Sequence, residues 1–134
     1  MLLRAFGARV GAEAHFYPTV RISIPWHLDI GPGAAVGDRA ILYALGTITI
    51  GARATISQQA HLCAGTHDWH DPTRPLVRAP IRVGEDAWVC ADAFVGPGVT
   101  IGEGAILGAR AVAMVDLGAG HIGQGNPMFQ RPAK

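Results

Sequence analysis

The chain has 134 residues, of which 16% are charged and 7% aromatic, and its formal net charge is +1. This length indicates a single domain spanning residues 1–134. A net charge so close to zero gives no reason to expect nucleic acid or an anionic membrane as a partner. The low charged fraction suggests that copies of the chain cover part of its surface.

The two cysteines, Cys63 and Cys90, are too few for a disulfide framework and do not form a CxxC metal pair. Free thiols suit a reducing compartment. The amino-terminal stretch is interrupted by Arg4 and Arg9, so it does not resemble a signal peptide. Because no run of about 18 apolar residues occurs, we expect a cytoplasmic protein without membrane insertion.

From about residue 20 onward, aliphatic residues recur at every sixth position. An amphipathic helix would repeat at three and four residues and an exposed strand at two, so neither explains this period. The spacing instead predicts a parallel β-helix, in which three hexads make a coil of about 18 residues and coils stack about 4.8 Å apart. The repeated residues are Ile24, Ile30, Val36 and Leu42, then Ile50, Ile56 and Leu62, then Val83, Val89, Val95, Ile101, Leu107 and Ala113.

Two further positions of the hexad carry a pattern. Glycine often follows the aliphatic residue, and we expect it to relieve a corner where φ is positive. A small residue, from Ala34 to Ala111 and including Thr66, lies four positions after each aliphatic residue. We expect it to point inward beside a corner. The spacing leaves the handedness open, because right-handed crossovers are the general rule.

The repeat is interrupted twice. The step from Leu42 to Ile50 is eight residues, which indicates a small insertion at a corner. The longer break between Leu62 and Val83 contains residues 68–79, which read as a projecting loop, and such loops in regular scaffolds are usually functional. The repeat ends near Asp116, so the coils are predicted at about 20–116 and a tail at 117–134.

His67 stands directly before the predicted loop and is the candidate general base, because an imidazole can be neutral and basic at cell pH. The alternative is a solvated corner residue. Cys63 could act as a nucleophile with His67, but it occupies the glycine position of its hexad and reads better as a small buried filler. Cys90 occupies the same hexad position and has the same interpretation. Trp69 could stack on a sugar ring or anchor the loop. Gln58 and Gln59 could orient a substrate hydroxyl or be exposed amides.

Trp88 falls at an outward hexad position, where an indole suggests a second subunit or a flat ligand as neighbour. His61, His67 and His70 could suggest zinc. However, His61 and His67 are one hexad apart and therefore lie on different faces of a coil. We expect no metal.

Residues 50–68 (IGARATISQQAHLCAGTHD) closely resemble the colanic-acid-biosynthesis type of O-acetyltransferases. So do Pro80–Ile81, the segments AWV (87–89) and PGVTIG (97–102), and Gly-Asn-Pro at 125–127. The segments LLRAFGARVG (2–11) and PWHLDIG (25–31) resemble the same subgroup, so the match covers nearly the whole chain. The nodulation, maltose and galactoside acetyltransferases are more distantly similar.

This resemblance implies an all-β, left-handed parallel β-helix that forms a homotrimer. The active sites would lie in clefts between neighbouring chains, with acetyl-CoA along each cleft and a saccharide as acceptor. The site residues that it implies are His67 as the catalytic histidine, Gln59 toward the acceptor, Trp88 beside the pantetheine, and the backbone of Gly108, Ala109 and Arg110 against the pantetheine amides.

The tail departs from the family pattern. The usual lysine is absent, and Met128 and Phe129 replace an Ala-Lys pair. Arg110, Arg131 and Lys134 are candidates for the CoA phosphates. Either Asp68 or a backbone carbonyl could fix the tautomer of the catalytic imidazole.

We therefore predict an acetyl-CoA-dependent O-acetyltransferase that acts on a hydroxyl of a sugar or exopolysaccharide precursor. Three alternatives remain open. One is a zinc-dependent hydro-lyase similar to the γ-carbonic anhydrases of this fold. Another is a non-catalytic β-helix binding protein, although that would favour an uninterrupted coil and Thr-rich faces. The third is an acyltransferase with an amine acceptor.

Overall fold

Short strands and tight corners alternate along the whole chain. The computed structural model describes residues 2–134. The elements in this range are α1 (Leu2–Ala5), β1 (Arg9–Val10), β2 (His15–Phe16), β3 (Arg21–Ser23), a 3₁₀ turn (Pro25–His27), β4 (Leu28–Ile30), β5 (Ala35–Val36), β6 (Ile41–Tyr43), β7 (Ile48–Ile50), β8 (Thr55–Ile56), β9 (His61–Cys63), β10 (Gly65–His67), β11 (Leu76–Arg78), β12 (Ile81–Val83), β13 (Trp88–Val89), β14 (Phe94–Val95), β15 (Thr100–Ile101), β16 (Ile106–Leu107), β17 (Val112–Ala113), β18 (His121–Gln124) and β19 (Phe129–Pro132).

Three sheets form the faces of a triangular prism. Sheet A has the order β1-β4-β7-β12-β15, and sheet C has the order β3-β6-β9-β14-β17. Sheet B has the order β2-β5-β8-β13-β16-β18-β19, in which all pairs are parallel except the last, antiparallel one. The predicted all-β parallel β-helix is therefore confirmed. Because β1 already belongs to sheet A and β18 extends sheet B, the coils reach beyond the predicted range of 20–116.

The aliphatic residue of each hexad fills the prism, as predicted. Ile56, Leu62 and Leu107 have no exposed surface at all. Burial of one such side chain contributes about 1.5–3 kcal/mol. The alanines four positions later are also buried, and within residues 2–134 no polar or charged side chain is buried. The core therefore leaves all chemistry to the outside of the prism.

The glycines act for a different reason from the one predicted. Positive φ occurs three residues after the aliphatic residue, where Arg53 has φ 58° and Arg110 has φ 59°. The glycine directly after the aliphatic residue faces the coil above: a Cβ on Gly51 would lie 2.6 Å from the backbone nitrogen of Glu85. Close stacking of the coils therefore excludes a side chain at Gly51, and the corner position with positive φ tolerates arginine.

The assignment of Ile24 to the repeat was wrong. Ile22 pairs with Leu42 in sheet C, whereas Ile24 has φ 57° and precedes the 3₁₀ turn. Ile30 pairs with Ile50 twenty residues later, so the early coils are two residues longer than predicted. The extra residues lie at the corner between sheets C and A, where the chain forms the 3₁₀ turn between β3 and β4.

The long interruption lies at this same corner and is a β-hairpin. Strands β10 and β11 pair antiparallel, with Gly65 opposite Arg78 and His67 opposite Leu76. We call residues 65–78 the arm. It begins three residues before the predicted loop, and His67 lies within its first strand. Thr66 is consequently exposed instead of pointing into the prism as predicted.

Candidate active site

The imidazole of His67 is held by one backbone carbonyl of the arm. Its Nδ1 lies 2.7 Å from the carbonyl oxygen of Arg74, across the turn that joins β10 to β11. A carbonyl can only accept, so Nδ1 carries a hydrogen, and in the neutral imidazole Nε2 has the lone pair. The side chain is exposed in the single chain. In this orientation Nε2 is the ring nitrogen that can accept a proton.

The carboxylate of Asp68 organises the tip of the arm instead of the imidazole of His67. It accepts a hydrogen bond of 3.0 Å from the backbone N–H of His70 and lies 3.5 Å from the Nδ1 of that residue. The backbone N–H of Asp68 donates to the carbonyl of Pro75 at 3.0 Å. Of the two predicted partners for His67, the backbone carbonyl is therefore the one found.

A second carboxylate shapes the same turn. Asp71 accepts hydrogen bonds from the backbone N–H and the hydroxyl of Thr73, and these hold the pKa of Asp71 below its usual value. Trp69 stacks on His70 with ring centroids 4.0 Å apart and is 77% exposed. Its indole packs within the arm and leaves most of its surface for another molecule.

The residues expected around acetyl-CoA lie on sheet B and on its edge toward sheet C. Trp88 projects from β13 and donates from Nε1 to the hydroxyl of Ser57 at 2.8 Å. Gly108, Ala109 and Arg110 form the corner between β16 and β17. The Nε of Arg110 is 3.7 Å from a carboxylate oxygen of Asp92.

Two other predicted residues share this side of the prism. Arg131 lies on β19, opposite Ile122 of β18, at the end of sheet B. Gln59 lies at the corner between sheets B and C, with φ 60°, and its backbone N–H donates to the carbonyl of Asp38 at 2.9 Å. His67, Asp68 and Trp69 lie at the corner between sheets C and A. One chain alone thus places the predicted residues in two groups on different edges.

The structure shows a groove on sheet B that was not predicted from the sequence. It has a volume of about 480 Å³ and runs across the first three coils. Tyr17, Gly37 and Ser57 occupy equivalent positions after β2, β5 and β8 of sheet B. The groove arises because the second and third of these residues are small, whereas the first is large. Tyr17, Gly37 and Ser57 are spaced by twenty residues, which is the length of these coils. A reading of the sequence with twenty-residue coils would have brought the three positions together. The polar and aromatic lining residues are His15, Tyr17, Asp38, Thr55, Ser57 and Gln58.

The two thiols are half-buried on the outside of the coils. The Cys63 thiol donates to the carbonyl of Gly65 at 3.3 Å, at the base of the arm. Burial raises the pKa of the Cys90 thiol, which favours the protonated and poorly nucleophilic form. Both thiols were predicted to be buried fillers, whereas each keeps part of its surface exposed outside the prism.

The histidines considered for zinc are dispersed. His61 lies half-buried on sheet C, edge-on to Phe94 with centroids 5.2 Å apart, and burial lowers its pKa. His67 and His70 lie on the arm. Throughout the described part of the chain, no group of three His, Cys, Asp or Glu side chains is placed to hold a metal ion.

The longest helix is too short for a membrane span. In residues 2–134 no helix has both the length and the apolar character needed to cross a bilayer.

Comparisons with known proteins agree with this architecture. Residues 80–112 match the family described as bacterial transferase hexapeptide (six repeats). A protein of Escherichia coli (strain K12) named as a colanic acid biosynthesis acetyltransferase, WcaF, is 46% identical over 126 residues, which cover 94% of this chain and 69% of that relative. The galactoside O-acetyltransferase of Escherichia coli (strain K12) is 26% identical over 129 residues, with 94% and 64% covered.

A similar fold has been solved experimentally. The crystal structure of a hexapeptide-repeat acetyltransferase from Vibrio cholerae superposes with a TM-score of 0.93 at 22% identity, covering 99% of this chain and 78% of that one. Its complex with acetyl coenzyme A superposes with a TM-score of 0.91. At this identity the likeness concerns the fold. The 46% identity over most of both sequences establishes more: the chain belongs to the hexapeptide-repeat acetyltransferases of the colanic-acid-biosynthesis type.

Proposed function

We propose that this protein transfers an acetyl group from acetyl-CoA to a sugar hydroxyl, with His67 as the general base. The observation that carries the proposal is the 2.7 Å contact between His67 Nδ1 and the Arg74 carbonyl, which leaves Nε2 free to accept a proton. The named activity of the relatives supports acetyl transfer, and the names colanic acid and galactoside support a saccharide acceptor.

The chemistry is a direct transfer. His67 Nε2 takes the proton of the acceptor hydroxyl as the oxygen attacks the thioester carbonyl. The tetrahedral intermediate collapses with cleavage of the carbon–sulfur bond, and protonated His67 returns the proton to the leaving thiolate. The products are an acetyl ester and free CoA. The carbonyl of Arg74 keeps the imidazole oriented through both proton transfers.

A homotrimer would unite the two groups of residues. The outer face of sheet A is polar, whereas that of sheet C is mostly apolar, and a mostly apolar outer face favours a partner. With three copies side by side, the arm of one chain would approach the sheet B groove of its neighbour. The outward row of sheet A is Arg9, Asp29, Thr49, Arg82 and Thr100, and that of sheet C is Arg21, Ile41, His61, Phe94 and Val112.

In such a cleft, sheet B would carry acetyl-CoA along its upper coils. Trp88 would flank the pantetheine, the corner Gly108, Ala109 and Arg110 would meet its amides, and Arg131 would approach the phosphates. Gln59, Asp68 and Trp69 would border the acceptor. We place this reaction in the cytoplasm, where acetyl-CoA is available and the two free thiols remain reduced.

The test is release of CoA thiol from acetyl-CoA by the purified protein with a panel of neutral sugars and nucleotide sugars. A matching panel of amino sugars separates O- from N-transfer. We expect acceptor-dependent thiol release together with a solution mass of three chains by light scattering. Stoichiometric zinc with no thiol release would contradict the proposal and favour a hydro-lyase.

A further inference from the structure

The lining of the groove on sheet B includes a carboxylate and an exposed aromatic ring. Asp38 lies at the corner after β5, and Tyr17 lies after β2 in the coil below. Tyr17 is 59% exposed, so its ring offers a face to a ligand in the groove. The ring can pack against the C–H face of a sugar, and the carboxylate can accept from hydroxyls at the edge of the sugar.

Asp38 is held in place from two directions. Its backbone carbonyl accepts the N–H of Gln59 at 2.9 Å, and its carboxylate accepts the hydroxyl of Thr19. The Thr19 oxygen in turn accepts the backbone N–H of Arg39 at 2.9 Å. Because an ionised carboxylate can only accept, the Thr19 hydroxyl hydrogen points toward Asp38. The carboxylate is therefore positioned before any ligand arrives.

The negative charge of Asp38 is only weakly compensated. The Nε of Arg39 lies 3.5 Å from its second oxygen, beyond hydrogen-bond distance, and the Arg39 side chain is 66% exposed. Exposed pairs of this kind are largely screened by solvent. Thr19 uses one of about four lone-pair sites on the carboxylate. The remaining sites are available to hydroxyl groups of a ligand.

We propose that Asp38, positioned by Thr19, determines the acceptor specificity of the enzyme. It accepts hydrogen bonds from adjacent hydroxyls of a neutral sugar ring packed on Tyr17, and its charge excludes sugars that carry a carboxylate. The Asp38 carboxylate repels a carboxylate on a sugar and cannot donate a hydrogen bond to it. A sugar acid is therefore bound more weakly than a neutral sugar. This inference rests on the proposed acetyl transfer but concerns a different residue from the general base.

The experiment compares methyl β-D-galactopyranoside with carboxymethyl β-D-galactopyranoside, which carries a carboxylate and retains every hydroxyl of the sugar ring. For the wild type we expect kcat/KM to favour the neutral sugar. In Asp38→Asn the ratio of the two kcat/KM values should fall by about tenfold or more. This factor corresponds to the loss of one hydrogen bond to a charged group. The change should appear in the KM for the sugar, with the KM for acetyl-CoA unchanged.

Two further variants complete the comparison. Thr19→Val should shift the preference in the same direction by a smaller factor, because the carboxylate remains but loses its anchor. Asp29→Asn removes an aspartate from the outer face of sheet A and should leave the preference at the wild-type value. An unchanged preference in Asp38→Asn, or an equal shift in Asp29→Asn, would overturn the proposal.

Saturation-transfer NMR with the same two sugars separates this proposal from that of acetyl transfer. If the wild type releases no thiol from acetyl-CoA with any sugar, the proposed reaction fails, while binding still tests the groove. Selective binding of the neutral sugar that is lost in Asp38→Asn would support the role of Asp38. Failure of the wild type to bind the neutral sugar, or equal binding of both sugars, would refute it.

Discussion

The stacked coils and the arm differ in nearly every physical property. Coil residues such as Leu62 and Val89 are completely buried, and parallel neighbours satisfy their backbone on both sides. The arm is a two-stranded hairpin, and all its side chains from residue 66 to 78 except Asp71 are exposed. The coils therefore provide the stability, whereas the arm presents the imidazole. Changes in the two regions should affect different measurements.

The largest expected effect is on catalysis and comes from the arm. His67→Ala removes the proposed general base and should lower kcat by about two to four orders of magnitude. Stability should remain within about 0.5 kcal/mol, because the side chain is exposed. Acetyl-transfer rates and thermal unfolding measure the two quantities.

The matched control is His70→Ala, which removes another imidazole from the same hairpin. It should retain most of the activity, because His70 contacts Asp68 and Trp69 instead of a reacting group. Equal losses in the two variants would mean that the arm tolerates no substitution and that His67 has no special role.

The next effect is on stability and comes from the coils. Leu62→Ala should create a cavity between coils and lower the free energy of unfolding by about 2–5 kcal/mol. Thr66→Ala, on the arm four residues later, should change it by less than about 0.5 kcal/mol. Denaturant unfolding of both variants tests this contrast, and similar midpoints would refute the division of roles.

A glycine of the coil should give a smaller loss. In Gly51→Ala the new Cβ meets the backbone of the next coil at 2.6 Å, so the coils must separate locally. We expect about 1–3 kcal/mol of destabilisation, typical of overpacking. Gly104→Asn is the control, because Gly104 has no atom within 4 Å of an added Cβ and asparagine tolerates its φ of 66°. An equally destabilised control would argue for backbone strain instead of stacking.

The hexad pattern was sufficient to predict the β-helix because a period of six has few structural explanations. It could not predict the corners correctly. The sequence marks glycine positions but does not distinguish a positive φ from a close approach by the next coil. Gly51 and Arg53 occupy neighbouring corner positions, and only coordinates reveal that the arginine adopts the strained conformation. Ile24 was misassigned because it lies six residues before Ile30. Two extra residues at that corner place Ile22, not Ile24, in sheet C.

The candidate site was predicted unevenly for a related reason. His67 could be identified because it adjoins the interruption of the repeat and lies in a segment typical of the family. Its hydrogen bond to Arg74 depends on the hairpin register, which the sequence does not specify. The groove around Tyr17 and Asp38 depends on the alignment of three coils. Coil length determines which residues stack on one another. The extra residues at the corners between sheets C and A made the length of the early coils differ from the predicted 18 residues.

A pH effect on stability is expected from His61, the half-buried histidine of sheet C. Burial beside Phe94 lowers the pKa of His61 below the ordinary 6.5. As the pH falls below 6.5, the unfolded chain binds the proton more readily, so stability is lost in that range. His61→Gln should lose less stability between pH 7.5 and 5.5 than the wild type. Parallel curves of melting temperature against pH would refute this assignment.

The smallest effect is expected at the boundary between the two regions. Cys63→Ala removes a half-buried thiol whose hydrogen bond goes to the carbonyl of Gly65. Direct transfer to the acceptor needs no covalent acyl-enzyme, so activity should remain close to that of the wild type. Mass spectrometry of the wild type quenched during turnover is the sharper measurement, because a cysteine acetylated at Cys63 would establish a two-step route. Absence of that adduct together with an active alanine variant would leave His67 on the arm as the reacting group.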